Sequence, residues 1–273
     1  MPSVKEKKQD FGIARHGGLQ HAEHFLGLRD SKYINPYSDV VFLSIDLEVS
    51  RQEISKPGAT LIKAFGIATL DTRHLRCLKW PFLSTKLISA FQFSTSNASK
   101  DFLDCDFTDF KECVFAETVF VSQTDVPTTI TEPLRIQDDT SPDPRTLRKI
   151  VIIGHSTKTD LKILQRLGIN VKEVAPVLPI LDTDPAARNL FGASSTPMAS
   201  FKLCALLTHL KCPYQALDLY NAGNDATFTL HAMLMLVIKS SESRELDLRQ
   251  KQNLEHFTGS GRNGVVWAST LET

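Results

Sequence analysis

Four acidic side chains stand where the folded chain could bring them together. Asp46 and Glu48 end the apolar stretch at residues 40–48, and residues two apart in a strand point to the same face of the sheet. Asp160 and Asp225 each stand near the start of a predicted helix. Carboxylate oxygens are the ligands that Mg²⁺ and Mn²⁺ prefer, so a converging set of this kind would hold divalent metal ions.

Each acidic motif taken alone has a simpler explanation. Exposed strands often carry a pair such as Asp46 and Glu48. The helix dipole favours an acid in the first turn of any helix, which accounts for Asp160 and Asp225 without a metal. The metal-site hypothesis therefore depends on all three motifs occurring in order, each on the element where such a site needs it.

Hydrophobic patterning predicts the elements that carry these residues. Apolar runs rich in β-branched residues predict strands, of which the first three would form an antiparallel meander: 40–48, 60–70, 74–80, 149–154 and 179–183. Apolar residues at helical spacing predict helices: 156–168, 200–210 and 219–239. This order of strands and helices predicts a mixed α/β layer protein.

The remaining segments show less regular patterns. Residues 1–36 are predicted to form an N-terminal arm, and residues 240–273 a polar C-terminal extension with one exposed helix. Residues 37–239 would form a single domain. Within it, the segment at about 84–148 is rich in Ser, Thr, Asp and Phe, and we expect an insertion or lid with some helix.

Composition narrows the function classes. Lys plus Arg and Asp plus Glu each number 31, so no overall basic field attracts nucleic acid. This argues against a non-specific nucleic-acid binder more than against a nuclease, because bound metal ions can supply the missing positive charge. Five cysteines without Cys-x-x-Cys spacing argue against a zinc or disulfide framework. The polar N-terminus and the absence of a long apolar run predict a cytoplasmic or nuclear protein that does not bind membranes.

Taken together, the motifs resemble those of the DnaQ-like DEDD exonucleases of the RNase H-like superfamily. That pattern is D-x-E on the first strand, G-H-x-x-x-x-D entering a helix, and a later block ending in Asp. The matching residues lie within about residues 40–238: Asp46, Glu48, Gly154, His155, Asp160 and Asp225. The resemblance implies an RNase H-like mixed sheet flanked by helices, here with N- and C-terminal extensions and a large insertion. The blocks around Asp160 and Asp225 look like a fungal branch associated with mRNA export factors and with RNA silencing.

The resemblance also implies an activity. It is a 3′–5′ exonuclease on single-stranded RNA or DNA, in which the four acids hold two Mg²⁺ or Mn²⁺ ions that clamp the attacking water and the leaving oxygen. RNA-processing proteins are the implied protein partners. Substrate contacts are expected at Val49 and Ser50, directly after the D-x-E pair, and at His155 and Lys158.

Tyr220 departs from the family pattern at the position of the general base. The histidine subclass has His five residues before the last Asp, and the tyrosine subclass has Tyr four before it, where this chain has Asn221. Residues five apart on a helix are about 140° apart, so Tyr220 could face the metals only if the helix begins later, with Asp218 or Asn221 as its cap. Tyrosine is a far weaker base than histidine at neutral pH, which predicts weakened activity.

Two other readings remain open. The first is a catalytically degenerate nuclease fold that serves as a nucleic-acid-binding or protein-interaction module in RNA metabolism, which Tyr220 and the neutral net charge favour. The second is that Asp46 and Glu48 form an ordinary exposed strand edge that binds no metal.

Several polar residues near the second motif allow structural roles. His155 is more readily interpreted as fixing the turn by hydrogen bonding than as a catalytic base, and Asp182 as a helix cap. Four basic residues could meet a phosphate backbone or could simply be solvated: Arg148, Lys149, Lys158 and Lys162.

Overall fold

A mixed six-stranded sheet forms the centre of the protein. The computed structural model describes residues 12–29, 39–49, 61–77, 87–95, 112–192, 201–242 and 244–258. The strands are β1 Val41–Val49, β2 Ile62–Asp71, β3 Ile88–Thr95, β4 Thr118–Val121, β5 Ile150–Gly154 and β6 Leu181–Asp182. Their order across the sheet is β4-β3-β2-β1-β5-β6. β1, β2 and β3 form an antiparallel meander, whereas β5 runs parallel to β1 and β6 parallel to β5.

Helices cover both faces of this sheet. They are α1 Leu19–Phe25, α2 Thr72–Cys77, α3 Val126–Thr131, α4 Lys158–Arg166, α5 Val171–Val174, α6 Thr183–Phe191, α7 Leu203–Leu210, α8 Ala222–Glu242 and α9 Leu248–Thr258. α8 packs on one face together with α1, α6 and α7, while α3, α4 and α5 pack on the other. None of the helices in the described ranges is long and apolar enough to cross a membrane.

The alternation of side chains along β1 explains this two-layer packing. Phe42 lies in the core beneath α8, whereas Val41, Leu43 and Ile45 lie in the core on the opposite side of the sheet. The apolar stretch is continuous because both faces of β1 are buried. The α/β fold class expected from the sequence is confirmed, as are strands β1, β2 and β5 and helices α4, α7 and α8.

The prediction of a strand at residues 74–80 is wrong for residues 74–77, and residues 78–80 lie outside the described part of the chain. Thr72–Cys77 is helix α2, and the third strand of the meander is β3. The side chain of Asp71 accepts a hydrogen bond from the backbone N–H of Arg73, at 2.8 Å, which turns the chain out of β2. Apolar residues alone did not reveal that turn.

The segment at 84–148 was predicted as an insertion, but its described part contributes β3 and β4 to the sheet itself, together with α3. Two inward-facing residues of β3, Gln92 and Ser94, are polar although buried, so the strand lacks the apolar alternation that marks a half-buried strand. The boundaries at 37 and 239 stay predictions.

Part of the predicted N-terminal arm is docked on the domain. α1 packs against α8. The buried carboxylate of Glu23 accepts hydrogen bonds from Arg29 and from Ser240, which lies in the last turn of α8. Arg244 forms a second ion pair with Glu23 at 3.3 Å. A buried acid with three partners fixes this helix to the end of α8.

The first turn of α8 approaches the sheet at Gly66. Gly66 is the partner of Asp46 in the β1–β2 register and of Gln92 in the β2–β3 register. A Cβ atom added at Gly66 would overlap the carbonyl oxygen of Ala222 and the backbone nitrogen of Gly223. The side chain of Gln92 accepts the N–H of Gly223 and so fastens the same turn. A strand glycine here allows a close backbone approach that any side chain would prevent.

We expect Gly66→Ala to push the first turn of α8 away from β2. The overlap with backbone atoms should lower the free energy of unfolding by about 1–3 kcal/mol, measured by chemical denaturation. Lys63→Ala is the control for an alanine in β2, because Lys63 is exposed on the same strand and its substitution adds no atom to the core. A Gly66→Ala variant as stable as the wild type would contradict this packing.

Candidate active site

β1 extends past its parallel neighbour and carries two acids into the gap. The pairing of β1 with β5 covers Val41 to Ser44, after which β5 ends at Gly154. Asp46 and Glu48 therefore lie beyond the carboxyl end of β5, half-buried, on the face of β1 that Phe42 shares with α8. The carboxyl edge of parallel strands is where ligand sites form in open α/β sheets.

Asp160 enters this gap from the first turn of α4. The residue is buried, and its carboxylate accepts hydrogen bonds from its own backbone N–H and from that of Leu47. Leu47 lies between the two acids of β1, so this contact places Asp160 directly beside them. The helix that follows β5 thus supplies the third acid.

Asp182 at the end of β6 holds the turn that leads into α4. Its two carboxylate oxygens accept the backbone N–H groups of Ser156 and Thr157, both at 3.0 Å. One of these oxygens also accepts the N–H of Asp184 and caps α6. Ser156 has φ of +59°, a conformation that these hydrogen bonds stabilise. The structural role expected for Asp182 is the one the geometry shows.

His155 uses both ring nitrogens within the protein. Nδ1 lies 2.8 Å from the hydroxyl of Thr183, and Nε2 lies 2.8 Å from the carbonyl oxygen of Phe201. A carbonyl can only accept, so Nε2 carries the proton and donates it. Burial lowers the pKa of His155, which keeps the ring neutral. These bonds fix the turn after β5, and a contact of His155 with substrate stays a prediction.

Asp225 is the fourth acid and lies in the first turn of α8. Asn221 caps this helix, because its side chain accepts the N–H of Asn224 at 3.0 Å. The helix therefore begins after Tyr220, as a metal-facing Tyr220 would require. Tyr220 has φ of +66°, its backbone N–H donates to the Asp225 carboxylate at 3.1 Å, and its side chain is exposed.

Asp46 lies close enough to the other three acids for their charges to act on its carboxylate. The pKa of Asp46 lies well above its usual value, first because burial desolvates the carboxylate and then because of the charges of Asp160, Asp225 and Glu48. Burial, with the nearby charge of Asp182, raises the pKa of Asp160 to about 7. Like charges this close are unfavourable unless protons or cations neutralise them.

The donor chemistry fits divalent cations, although the side chains must turn to bind one. Among the described residues, no group of three or more His, Cys, Asp and Glu side chains could hold a metal ion as it stands. Two of the carboxylates accept backbone N–H groups instead, Asp160 from Leu47 and Asp225 from Tyr220. Four carboxylates in one partly buried space remain the ligand type that Mg²⁺ and Mn²⁺ select.

The sequence also predicts contacts with substrate or with its phosphates at residues other than the four acids. Val49 is half-buried and follows a register shift at the end of β1, while Ser50 lies outside the described residues. Lys158 and Lys162 are exposed on α4. A phosphate contact by Arg148 is ruled out by its position.

Arg148 is buried at the opposite end of the sheet, before β5 begins. It forms ion pairs with Asp39 and Asp71, both at 2.8 Å. Arg73 pairs with the same Asp39, so the two arginines and two aspartates link the start of β1 to the end of β2. This is a structural network rather than a substrate contact.

Sequence reasoning missed Gly66, Gln92 and Asn224, which position α8. A single glycine within a strand pattern is a known sign of a close backbone approach, so Gly66 carried a usable signal. The buried Gln92 and Asn224 carried none, since their partners are distant backbone groups at Gly223, Glu112 and Val114.

In the absence of metal ions, replacing Asp160 by Asn should stabilise the protein, and this stabilisation should increase with pH. The raised pKa of Asp160 means that the folded state holds a proton which the unfolded state releases above about pH 4, so this contribution to stability is lost as pH rises through about 7. Asn resembles the protonated acid. In EDTA we expect Tm of the variant to equal that of wild type near pH 5 and to exceed it by about 2–8 °C at pH 8.

The comparison between variant and wild type isolates this effect. Burial lowers the pKa of His155, and that of His231 to about 3, which produces the opposite pH trend equally in both proteins. Glu245→Gln, at an exposed position, is the control for loss of one negative charge. Added Mn²⁺ should reverse the order of Tm. An Asp160→Asn variant less stable than wild type at pH 8 in EDTA would refute the crowding of charges.

Comparison with known proteins places these residues in a family. Residues 41–236 match a DEDDh-type family model described as DNA polymerase III subunit epsilon-like, C-terminal domain. No curated protein matches the chain significantly. The match covers well over half of the chain and includes the sheet, α4, most of α8 and all four acids. The chain belongs to the DnaQ-like DEDD exonuclease family.

Proposed function

We propose that this protein is a metal-dependent 3′–5′ exonuclease that hydrolyses phosphodiester bonds of single-stranded RNA or DNA. One observation carries the proposal: Asp160 accepts the N–H of Leu47, between Asp46 and Glu48, while the first turn of α8, which carries Asp225, packs on Gly66 opposite Asp46. Membership in a family of 3′–5′ exonucleases supports it. The fungal branch, the RNA-processing partners and a cytoplasmic or nuclear location stay predictions.

In this proposal Asp46, Glu48, Asp160 and Asp225 hold two Mg²⁺ or Mn²⁺ ions. When bound, such ions supply Lewis-acid stabilisation of the phosphate and lower the pKa of a bound water. The chain has as many acidic as basic residues, so the positive charge that a phosphodiester needs would come largely from these cations.

The chain's own residues position the acids and the substrate. The N–H groups of Leu47 and Tyr220 orient the carboxylates of Asp160 and Asp225. The first turns of α4 and α8 both face the site, so their positive dipole ends favour anionic groups there. Lys158 is exposed at the start of α4, and in this proposal it binds a backbone phosphate.

Tyr220 occupies the place of the base that the histidine subclass uses. α8 begins after Tyr220, so the angular separation of about 140° between helical residues five apart does not apply to Tyr220 and Asp225. A tyrosine hydroxyl can align a water by hydrogen bonding but removes its proton poorly at neutral pH. We therefore expect turnover below that of a histidine-containing member of the family.

A second candidate function is binding without significant turnover. It is favoured by the same residue, since Tyr220 replaces the only base that the family pattern supplies at that position. The domain would then serve as a nucleic-acid-binding or protein-interaction module, with the acids kept for metal-assisted binding. The two functions differ in what restoring histidine would do.

Cleavage of a 5′-labelled single-stranded oligonucleotide in Mn²⁺ tests the proposed activity. We expect a ladder of progressively shorter labelled products, because a 3′–5′ exonuclease removes nucleotides from the unlabelled 3′ end. The Asp46→Asn, Glu48→Gln double variant should give no ladder, and Glu245→Gln should match wild type. A ladder of equal strength in the double variant would show that the activity comes from elsewhere.

Two substitutions at Tyr220 separate the candidate functions. General-base catalysis contributes roughly 10²–10⁴ in rate, so Tyr220→His should raise kcat by about tenfold or more when the acids are competent. Tyr220→Phe should lower kcat with little change in KM, since it removes only the hydroxyl. Steady-state assays over a range of substrate concentrations measure both effects. Loss of activity in Tyr220→His would mean that tyrosine is a working part, and no turnover in any form would favour the binding module.

A further inference from the structure

One face of α4 carries only positive charge. Lys158, Lys162 and Arg166 are exposed and follow one another at intervals of four residues along this helix. Residues four apart on a helix are about 40° apart, so the three side chains lie along one strip of its surface. We call these three residues the basic ridge. The other exposed residues of α4 are uncharged, and its one acid, Asp160, is buried.

The buried side of α4 fixes the direction of the ridge. Leu161 and Leu164 lie in the core between this helix and the sheet. A helix packed on its apolar side holds its polar side toward solvent. The ridge therefore runs along the outer surface of the protein, from Lys158, two residues before the site acid Asp160, to Arg166 at the far end of the helix.

The ridge lowers the stability of the isolated protein. Lys158 and Lys162, and likewise Lys162 and Arg166, are like-charge pairs four residues apart, which destabilise a helix. Lys158 also stands at the positive end of the helix dipole, where a cation is unfavourable. Within the described ranges, no ion pair joins a ridge side chain to an acid. A surface that breaks local rules without compensation inside the chain is typical of a functional site.

A nucleic-acid strand supplies the negative charge that the chain lacks here. Successive ridge residues are about 6 Å apart along the helix axis, and a strand carries one phosphate for every nucleotide. The ridge begins in the turn that carries Asp160, beside the acids at which a scissile phosphate would bind. The chain as a whole has no net charge, so a local ridge of this kind is what would attract a strand.

We propose that the basic ridge is a track for the phosphates upstream of the cleaved bond. The 3′ end of the strand lies at the four acids, and the preceding nucleotides follow α4 with their phosphates on Lys162 and Arg166. The track rests on the proposed exonuclease function and deepens it, because it makes a strand of several nucleotides a better substrate than a dinucleotide. Phosphate contacts carry no sequence information, so this preference for length is independent of sequence.

The salt dependence of binding measures how many phosphates the protein contacts. For single strands, each contact contributes about 0.7 to the slope of log Kd against log salt concentration. The Lys162→Gln, Arg166→Gln double variant should therefore lose about 1.4 from this slope for a fluorescein-labelled uridylate or thymidylate decamer. It should also bind the decamer about threefold to tenfold more weakly at low salt. Fluorescence anisotropy in Ca²⁺, which limits cleavage, measures both effects.

Two further variants and a melting curve control for total charge and for folding. The Arg145→Gln, Lys239→Gln double variant removes the same two positive charges from a loop before β5 and from the last turn of α8, and should leave the slope unchanged. Lys162→Arg keeps the charge and should bind as wild type does. Because the glutamines of the ridge variant remove both like-charge pairs, its Tm should equal or exceed that of wild type.

Substrate length gives a second test. In the ridge variant, we expect the ratio of kcat/KM for the decamer to kcat/KM for a dinucleotide to fall about threefold to tenfold, since only the decamer reaches Lys162 and Arg166. An unchanged salt slope, an equal change of slope in the Arg145 and Lys239 control, or an equal loss for both lengths would overturn the track while leaving the exonuclease intact. Failure of wild type to bind or cleave any oligonucleotide would instead reject the proposed function together with the track.

Discussion

The close approach of α8 to Gly66 is the constraint on which the site depends. Gly66 is opposite Asp46 in the sheet, so the helix turn that packs on it brings Asp225 to the acids of β1. Gln92 bonds the same turn from the next strand. The absence of a side chain at Gly66 thus lets the last of the four site acids, Asp225, approach the first two, Asp46 and Glu48, which lie almost 180 residues earlier in the chain.

The assembled acids oppose folding in the absence of cations. Burial and mutual repulsion raise the pKa values of Asp46 and Asp160, and the chain offsets part of this cost with backbone N–H donors from Leu47 and Tyr220. Asp182 adds further negative charge because it holds the turn before α4. Such a site is stabilised by its ligand, so stability and metal affinity are linked. Strain of this kind is typical of functional sites.

The sequence predicted the acids and their elements because each motif is local. The apolar runs before Asp46 and Asp160, and the cap before Asp225, are readable within a few residues. β3 escaped prediction because three of its four buried residues are polar, namely Gln92, Ser94 and Thr95. The strand predicted at 74–80 failed because a side-chain turn at Asp71 starts a helix. The role of Asn224 was also out of reach, since its side chain joins segments that are more than 100 residues apart, at Glu112 and Asp218. Long-range polar contacts leave no periodic signal in a sequence.

The function assigned to this fold requires that the four acids act as one metal centre. Electron paramagnetic resonance of the protein loaded with Mn²⁺ and a nucleoside 5′-monophosphate tests this most directly. Two ions held roughly 3.5–4 Å apart by shared carboxylates are magnetically coupled, so we expect a spin-coupled spectrum that Asp46→Asn abolishes. A spectrum of isolated Mn²⁺, or one that Asp46→Asn leaves unchanged, would contradict the account.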